Sequence, residues 1–508
     1  MNDRIRLLLC AVLALPPAAC ALGSTPAGQY FEIQVVDADT GRGVPLVELT
    51  TTGSIRYVTD SNGVVAFDEP GLMNRSVFFH VQSHGYEFPK DGFGFRGRAL
   101  LSEPGGRAVL ELKRKNVAER LYRLTGGGIY RDSLLTGRAV PLSNPVPNGL
   151  VVGQDSVIRA LYRDRIYWFW GDTNRPGYPL GNFSVTGATS ALEVDPDRAI
   201  EYRYFVNDAG FARPMCPIDG PGPVWLDGLM TLPKDGGTRL VARFERHKSL
   251  GELYECGLVW FDDDAEQFVK LVNFELDEER HPGGHPIRFR ADGQEHYYFG
   301  RPFPNLRVRA ELDAVMDPEA YEALAWNGSA YTWKRGAQPI SPGDPESWIR
   351  LLDVETGNEV RPHGGSVCWN PHRQRFIAIF LEVGGSSYLG EVWLAEADTL
   401  LGPWAYARKI VTHDRYSFYN VVQHPFLDRE QGRFIYFEGT YTDFLVEHPD
   451  TTPRYNYNQI LYRLDLDDPR TVLPRPVYGP KRNTILYFER PDGERLENPI
   501  RRPPHDVR

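Results

Sequence analysis

The chain has 508 residues, 42% apolar and 24% charged, with 49 Gly, 40 Pro and 12% aromatic residues. That length accommodates two or three domains with substantial cores, and the turn-rich, aromatic-rich composition argues for a mostly β chain. A net charge of −10 gives no general attraction to nucleic acid or to an anionic membrane surface, so neither is an expected partner.

Residues 1–21 read as an export signal. Arg4 and Arg6 precede an apolar run from Leu7 to Leu15, too short to span a bilayer. Pro16 to Cys20 form a cleavage region that resembles a bacterial lipobox ending at Cys20, whose thiol would carry the lipid. Pro17 stands where that motif prefers Leu, so plain signal-peptidase cleavage near Ala19 or Ala21 is the alternative. Either route predicts an exported protein, periplasmic, anchored in the outer membrane or extracellular, with no transmembrane span and at most a lipid anchor. Beyond Cys10 and Cys20 the cysteines are Cys216, Cys256 and Cys368, and no C-x-x-C or Cys/His spacing suggests zinc. A Cys216–Cys256 disulfide and ordinary buried thiols both fit.

Residues 28–113 carry short alternating strands: Tyr30 to Val36, Val44 to Leu49, a strand–turn–strand from Tyr57 to Phe67 with Asn62-Gly63 at its tip, Val77 to Val81 and Ala108 to Leu112. This pattern predicts a small β-sandwich. The words V-x-D-x-x-T-G-x-G-V-P-x-V-x-L, T-D-S-N-G-V-V-A-F and H-G-Y-E resemble the carboxypeptidase-regulatory-like, transthyretin-type sandwich, which implies a spacer or docking unit. Residues 114–147 read as a junction, with a short helix over 117–124 ended by Gly126-Gly-Gly128.

From 148 to 485 a unit recurs roughly every 58–80 residues, the size of a four-stranded propeller blade plus a loop. The unit starts are Gly153-Gln-Asp155, Val224-Trp-Leu-Asp227, Gly284-His285, Gly364-Gly365 and Val422-Gln-His424. Five units predict a five-bladed β-propeller, so the expected fold is all-β, a small N-terminal sandwich followed by that propeller. A β-sandwich of unrelated strands is the alternative. Residues 486–508 read as a C-terminal tail.

The first unit holds a hairpin turning at 163–165. Asp155 and Asp172 lie nine and eight residues from its centre at 164, so the pairing predicts that they are neighbours. Paired acids on a rigid sheet suit general acid–base chemistry or glycoside hydrolysis, though turn-capping aspartates are the commoner use. Blade starts surround one axis, which would bring Asp227, His285 and His424 into the same funnel. Glu245, Glu382 and Glu438 end the second strands of their units. Glu438 follows an apolar strand that would raise its pKa toward proton donation. Arg301 and Arg307 could bind a carboxylate or phosphate. Among the aromatics Trp168, Trp170, Trp225, Tyr419, Tyr441 and Tyr455, those best suited to stack on a sugar are Trp225 and Tyr441.

The stretch G-Q-D-S-V-I-R-x-x-Y-R-D-R-I-Y-W-F-W-G-D-T resembles the first blade of the five-bladed-propeller glycosidases, and Gly390 to Ala395 followed by Leu400-Leu-Gly-Pro-Trp404 resembles their outer-blade signature. The Gly171-Asp172-Thr173 ending is closer to the endo-D-arabinanases of glycoside hydrolase family 183 than to family 43. The resemblance implies Asp155 as base or nucleophile, Asp172 as its partner and Asp227 as a pKa-tuning acid, with Glu438 assisting. The third unit lacks the Glu that family 43 uses as acid, so the resemblance leaves that role to Asp172 or a loop carboxylate. His285, His424, Trp225, Arg301 and Tyr441 would then bind substrate. No cofactor is implied, although some related propellers carry a cation on the axis. The expected function is hydrolysis of a glycan, such as an arabinofuranoside-containing polysaccharide, with a carbohydrate as partner. The alternatives are a non-catalytic glycan-binding or scaffold lipoprotein on a degenerate propeller, and a propeller lyase or phosphorylase using the Arg/His cluster at 285–307.

Overall fold

A computed structural model describes residues 28–500 apart from 145, 147, 183, 235, 250, 292, 329–330, 341–343, 345–346, 447–449 and 481–483. The expected signal segment and Cys20 lie outside the described residues, as does the end of the expected tail. Among the described residues no helix is long and apolar enough to cross a membrane.

The N-terminal unit is two four-stranded sheets. One contains Val64–Phe67, Phe31–Asp37, Arg107–Arg114 and Tyr86–Glu87, the other Arg56–Val58, Glu48–Thr51, Ser76–Gln82 and Gly97–Leu101. Alternate apolar residues meet between them, including Ile33, Val35, Leu49, Phe67, Phe79 and Leu110, which is the burial pattern of a sandwich.

Five larger sheets follow, with two small three-stranded ones beside them. Blade 1 comprises Val157–Tyr162, Arg165–Trp170, Thr186–Ala191 and Arg203–Tyr204. Blade 2 comprises Val224–Lys234, Gly237–His247, Leu253–Asp262 and Gln267–Phe274. Blade 3 begins with Ile287–Ala291 and Gln294–Gly300, blade 4 with Pro362–Asn370 and Arg375–Glu382, and blade 5 with Ser417–Gln423 and Phe434–Thr442. From these first strands outward, neighbouring strands pair antiparallel as a meander, and the blade 4 sheet adds Leu351–Asp353, from before Pro362, parallel to Tyr406–Thr412.

Both faces of a blade are apolar, because each must pack on a neighbour. In blade 1, Ile158 and Phe169 face blade 2 beside Leu240 and Phe244, while Val157, Trp168 and Trp170 face blade 5 beside Val422 and Tyr436. Blade 2 meets blade 3 through Leu258 and Phe299, blade 3 meets blade 4 through Tyr298 and Phe380, and blade 4 meets blade 5 through Ile379 and Phe437. These five interfaces close a ring, the five-bladed propeller.

The closing strand corrects the helix expected over 117–124. Glu119–Arg123 is a β-strand paired antiparallel with Asn458–Asp465, and it completes blade 5 from the N-terminal side. Its continuous burial explains the difference: adjacent Leu121 and Tyr122 both sit in the interface of blades 5 and 1, and the charged Glu119, Arg120 and Arg123 are buried too, so polarity does not alternate with a period of two. Within the span expected as a tail, Ile485–Glu489 and Arg495–Leu496 form a small sheet with Arg475–Tyr478. Phe488 and Ile500 of that segment pack against Tyr406 of blade 4. The Cys216–Cys256 disulfide is not formed, and both thiols are buried.

Ring closure makes the propeller depend on residues that precede its first blade. Leu121, with no exposed surface, should cost about 2–5 kcal/mol on replacement by Ala. Urea denaturation of Leu121→Ala measures that loss, and a midpoint equal to that of the parent chain would show the strand to be dispensable.

Candidate active site at the mouth of the propeller

A two-residue turn at Arg163-Asp164, both at positive φ (47° and 58°), closes the blade 1 hairpin. Tyr162 opposes Arg165 and Val157 opposes Trp170. Asp155 and Asp172 stand two positions further along each strand, in the same register, and the Asp155 N–H donates to the Asp172 carbonyl at 3.3 Å. Asp155 does not end an apolar strand, as the sequence suggested. It occupies the break between Gly153–Gln154 and the inner strand Val157–Tyr162, where Ser156 (φ 48°) turns the chain. The Gly171 N–H donates to the Asp155 carbonyl at 2.8 Å, and a Cβ at Gly171 would fall 2.2 Å from Asp155 Oδ1. The Asp155 carboxyl therefore lies over space that only glycine leaves open.

The two acids have different partners. The Tyr419 hydroxyl donates to Asp155 Oδ2 at 2.6 Å, and Tyr457 also hydrogen-bonds that carboxyl. Asp155 Oδ1 is buried with no partner. The Trp225 indole N–H donates to Asp172 Oδ1 at 2.9 Å. Burial first, then the charge of Asp172, pushes Asp155 up to about 7, against the phenol donors that favour its anion. Burial also raises Asp172 above the ordinary carboxylate range, opposed by the Trp225 hydrogen bond. Such a pair titrates as a unit, so the value near 7 marks loss of its last proton. Below that value the pair holds one proton between two carboxyls, and at about pH 7 that proton is half lost.

Blades 2 and 3 supply a second, oppositely tuned set. Burial alone would raise Asp227, but Arg301, the Gly284 N–H, His285 and the Gly228 N–H outweigh it and hold Asp227 below its ordinary value. The contacts are Arg301 to Oδ2 at 2.8 Å, Gly284 N–H to Oδ2 at 3.0 Å and Gly228 N–H to Oδ1 at 2.9 Å. Asp227 is thus a firmly ionised anchor for Arg301 and unsuited to donating a proton. A strand irregularity follows it, between Asp227 and Met230, with Gly228 at φ 59°. Bulges of this kind re-aim side chains beside functional sites. Glu245 lies across the strand pair from Trp225 and is held by Arg243 at 2.5 Å and by His247 at 3.5 Å. His285 is kept neutral, pulled down to about 3 by burial first and by the charge of Arg159 next, with its Nδ1 buried and unpartnered.

Several sequence candidates stand elsewhere. Glu438 has no exposed surface and lies between blades 5 and 1, with both carboxyl oxygens lacking hydrogen-bond partners. Burial pushes it up to about 8, so it is protonated at neutral pH, but it is sealed from any substrate. His424 is equally enclosed: its Nε2 lies 3.2 Å from Glu438 Oε1, and its Nδ1 accepts from Arg159 Nε at 3.0 Å. Both corrections have one cause: His424 follows the end of Ser417–Gln423 instead of opening a strand, and Glu438 lies inside Phe434–Thr442 instead of ending one, so both are enclosed in the blade, with Trp168 packed edge-on to His424. Tyr441 is also fully buried. Its hydroxyl meets His84 of the sandwich at 2.9 Å and its ring stacks on Tyr416, so it joins the sandwich to the propeller and does not face a sugar. Trp168, Trp170 and Tyr455 likewise fill cores. Glu382 accepts from the Trp393 indole at 3.1 Å, and Arg307 pairs with Glu322 at 2.8 Å.

Two residues escaped the sequence reading. Tyr457, at φ 62°, sits in a loop where no spacing marks it. Arg159 had a signal, a charge inside the apolar run V-I-R-A-L-Y. Its guanidinium, lowered by burial, reaches His424 and the Gln423 carbonyl of blade 5, and its charge is felt by His285 of blade 3 and Cys368 of blade 4. Among the described residues no group of three or more His, Cys, Asp or Glu is placed to hold a metal ion.

The fold and site together describe a closed propeller with two raised carboxyls paired across its first hairpin. No family model matches the chain, and no curated protein matches it. Among solved structures it is similar to an exo-β-1,3-galactanase from Phanerochaete chrysosporium, at 12% identity and a TM-score of 0.35, over 62% of this chain and 61% of that one. It is also similar to an exo-1,5-α-L-arabinanase from a bovine ruminal metagenomic library, at 10% identity and a TM-score of 0.34, over 69% of this chain and 98% of that one. A third is an endo-1,5-α-L-arabinanase from Thermotoga petrophila RKU-1, at 13% identity and a TM-score of 0.31, over 69% and 74%.

A raised carboxyl pKa makes a definite stability statement. Between the ordinary aspartate pKa and about 7 the folded chain binds protons that the unfolded chain has lost, so stability falls as pH rises through that window. Asp155→Asn should therefore melt higher than the parent chain at pH 7.5, with the gain vanishing toward pH 4. Scanning calorimetry at the two pH values checks this, and a pH-independent difference would contradict the assignment.

Proposed function

We propose that the chain is a glycoside hydrolase whose working groups are Asp155 and Asp172. The observation that carries this reading is the pair itself: two cross-strand carboxyls, partly accessible, both raised above the ordinary carboxylate range by burial. The family resemblance assigns Asp155 as nucleophile or base, and its two phenol donors favour that anion although burial opposes it. Asp172 is then the acid that protonates the leaving oxygen, so the reactive form is the one in which the pair's proton resides on Asp172. The matched register of Asp155 and Asp172 across the hairpin favours the short carboxyl separation of retaining glycosidases, roughly 5–5.5 Å, over the wider one that admits a water for inversion. The proposed route is therefore double displacement through a glycosyl-Asp155 intermediate. Asp227 and Arg301 position the sugar, and Trp225 holds Asp172 in place while offering an aromatic edge to the substrate.

The substrate class in this proposal is a furanosidic glycan, on the strength of the Gly171-Asp172-Thr173 resemblance to the endo-D-arabinanases. Export through residues 1–21, with Cys20 as the lipid-bearing residue, belongs to the same proposal, because such polymers lie outside the cytoplasm.

Release of reducing ends from arabinans, arabinogalactans and xylans tests the reading. Asp155→Asn and Asp172→Asn should each lower kcat/KM by about 10²–10⁴ with circular dichroism unchanged. Glycan binding without hydrolysis, equal in parent and variants, would instead favour a binding module. The parent enzyme should show a bell-shaped pH profile with its alkaline limb near 7. Tyr419→Phe removes a donor to the Asp155 anion, so its profile should move to higher pH. NMR of the first-formed product should show a retained anomeric configuration.

A further inference from the structure

A cavity of about 500 Å³ lies away from the funnel, at the seam between the sandwich and blade 1. Its walls come from Arg42, in the turn after Phe31–Asp37, from Arg138, just beyond the short helix Arg131–Leu135, and from Asp197-Arg198, between the last two strands of blade 1. Tyr130 is buried at its back, and the Tyr130 hydroxyl donates to the Arg198 carbonyl at 3.4 Å. The volume falls within the range of about 300–1,000 Å³ usual for small-ligand pockets.

The charges in this wall do not cancel. Arg138 is neutralised by Glu32 at 2.7 Å. Asp197 is neutralised by Arg463 at 3.0 Å and also accepts from the Tyr436 hydroxyl at 3.1 Å. Arg42 and Arg198 remain, and among the described residues neither makes an ion pair. Arg42 points its charge into the seam, where the Tyr122 and Tyr130 hydroxyls feel it. Two uncompensated guanidiniums share one cavity in a chain of net charge −10, so the excess is local to this wall.

We propose that the seam binds a sugar bearing an oxyanion, either a uronate carboxylate or a sugar phosphate. Guanidinium forks match both groups with paired hydrogen bonds. The cavity is several times larger than a bare anion needs, and the amides of Gln34 and Asn62 and the hydroxyl of Ser61 suit sugar hydroxyls. Arg42 belongs to the sandwich and Arg198 to the propeller, so such a ligand would bridge the two units. The sandwich then works as half of a glycan-recognition site, independent of the chemistry at Asp155 and Asp172.

Isothermal titration of the full chain with galacturonic acid, glucose 6-phosphate, galactose and inorganic phosphate tests this. At least one of the two acidic sugars should bind, and which one does identifies the oxyanion. Binding should weaken at least tenfold in Arg42→Ala and in Arg198→Gln, the latter at an exposed side chain, and should stay within twofold in Asp155→Asn, with circular dichroism confirming each fold. Failure of both acidic sugars to bind, galactose binding as tightly as either, inorganic phosphate matching glucose 6-phosphate, affinity that survives both arginine changes, or affinity lost in Asp155→Asn would each overturn the proposal.

Discussion

A propeller is a ring of sheets in which no blade can be stable alone, because both of its faces are apolar and need a neighbour. In this chain the ring is closed by pairing Glu119–Arg123 with Asn458–Asp465, residues more than 300 positions apart in sequence. That contact completes blade 5 with a strand contributed before blade 1 begins, and it places Leu121 and Tyr122 in the interface where the first and last blades meet. Everything at the mouth rests on this closure. Asp155 comes from blade 1, its phenol partner Tyr419 from blade 5 and the Trp225 that holds Asp172 from blade 2.

Within the ring, burial and charge sort the acids into distinct states. Asp155 and Asp172 are both raised by burial, and Asp155 is raised further by the charge of Asp172. Asp227 carries the same side chain, yet it stays ionised because Arg301 and two backbone N–H groups surround it. Glu438 is raised further still but is buried between blades, where its proton has no outlet. A high carboxyl pKa is therefore insufficient to nominate a catalytic acid, and access decides between Glu438 and the Asp155–Asp172 pair. The unpartnered Asp155 Oδ1, seated over Gly171, is the atom whose desolvation leaves the pair ready to hold a proton.

Much of the architecture was legible in the residues. The recurring strand starts marked the first strands of blades 1 to 4, whereas Val422-Gln-His424 is the end of the first strand of blade 5, Ser417–Gln423, and the Arg163-Asp164 turn fixed the register that brings Asp155 and Asp172 together. Alternation of apolar residues marked the sandwich. The closing strand was hidden because it is buried on both faces and so shows no period. The fates of Tyr441 and His424 were also hidden, since a strand position shows that a residue lies at a blade end and not whether it faces the funnel or a neighbouring unit. Tyr441 turns to His84 of the sandwich, and His424 turns under Trp168. Tyr457 depends on a loop conformation that carries no sequence signal.

The central claim is that Asp155 and Asp172 form one proton-sharing unit. Carboxyl-carbon NMR of the chain labelled at aspartate measures it directly. The account predicts two coupled steps for this pair, the second near pH 7, and a single step at lower pH for Asp172 once Asp155 is replaced by Asn. Two independent transitions near the ordinary aspartate value, unaffected by replacing either partner, would contradict it.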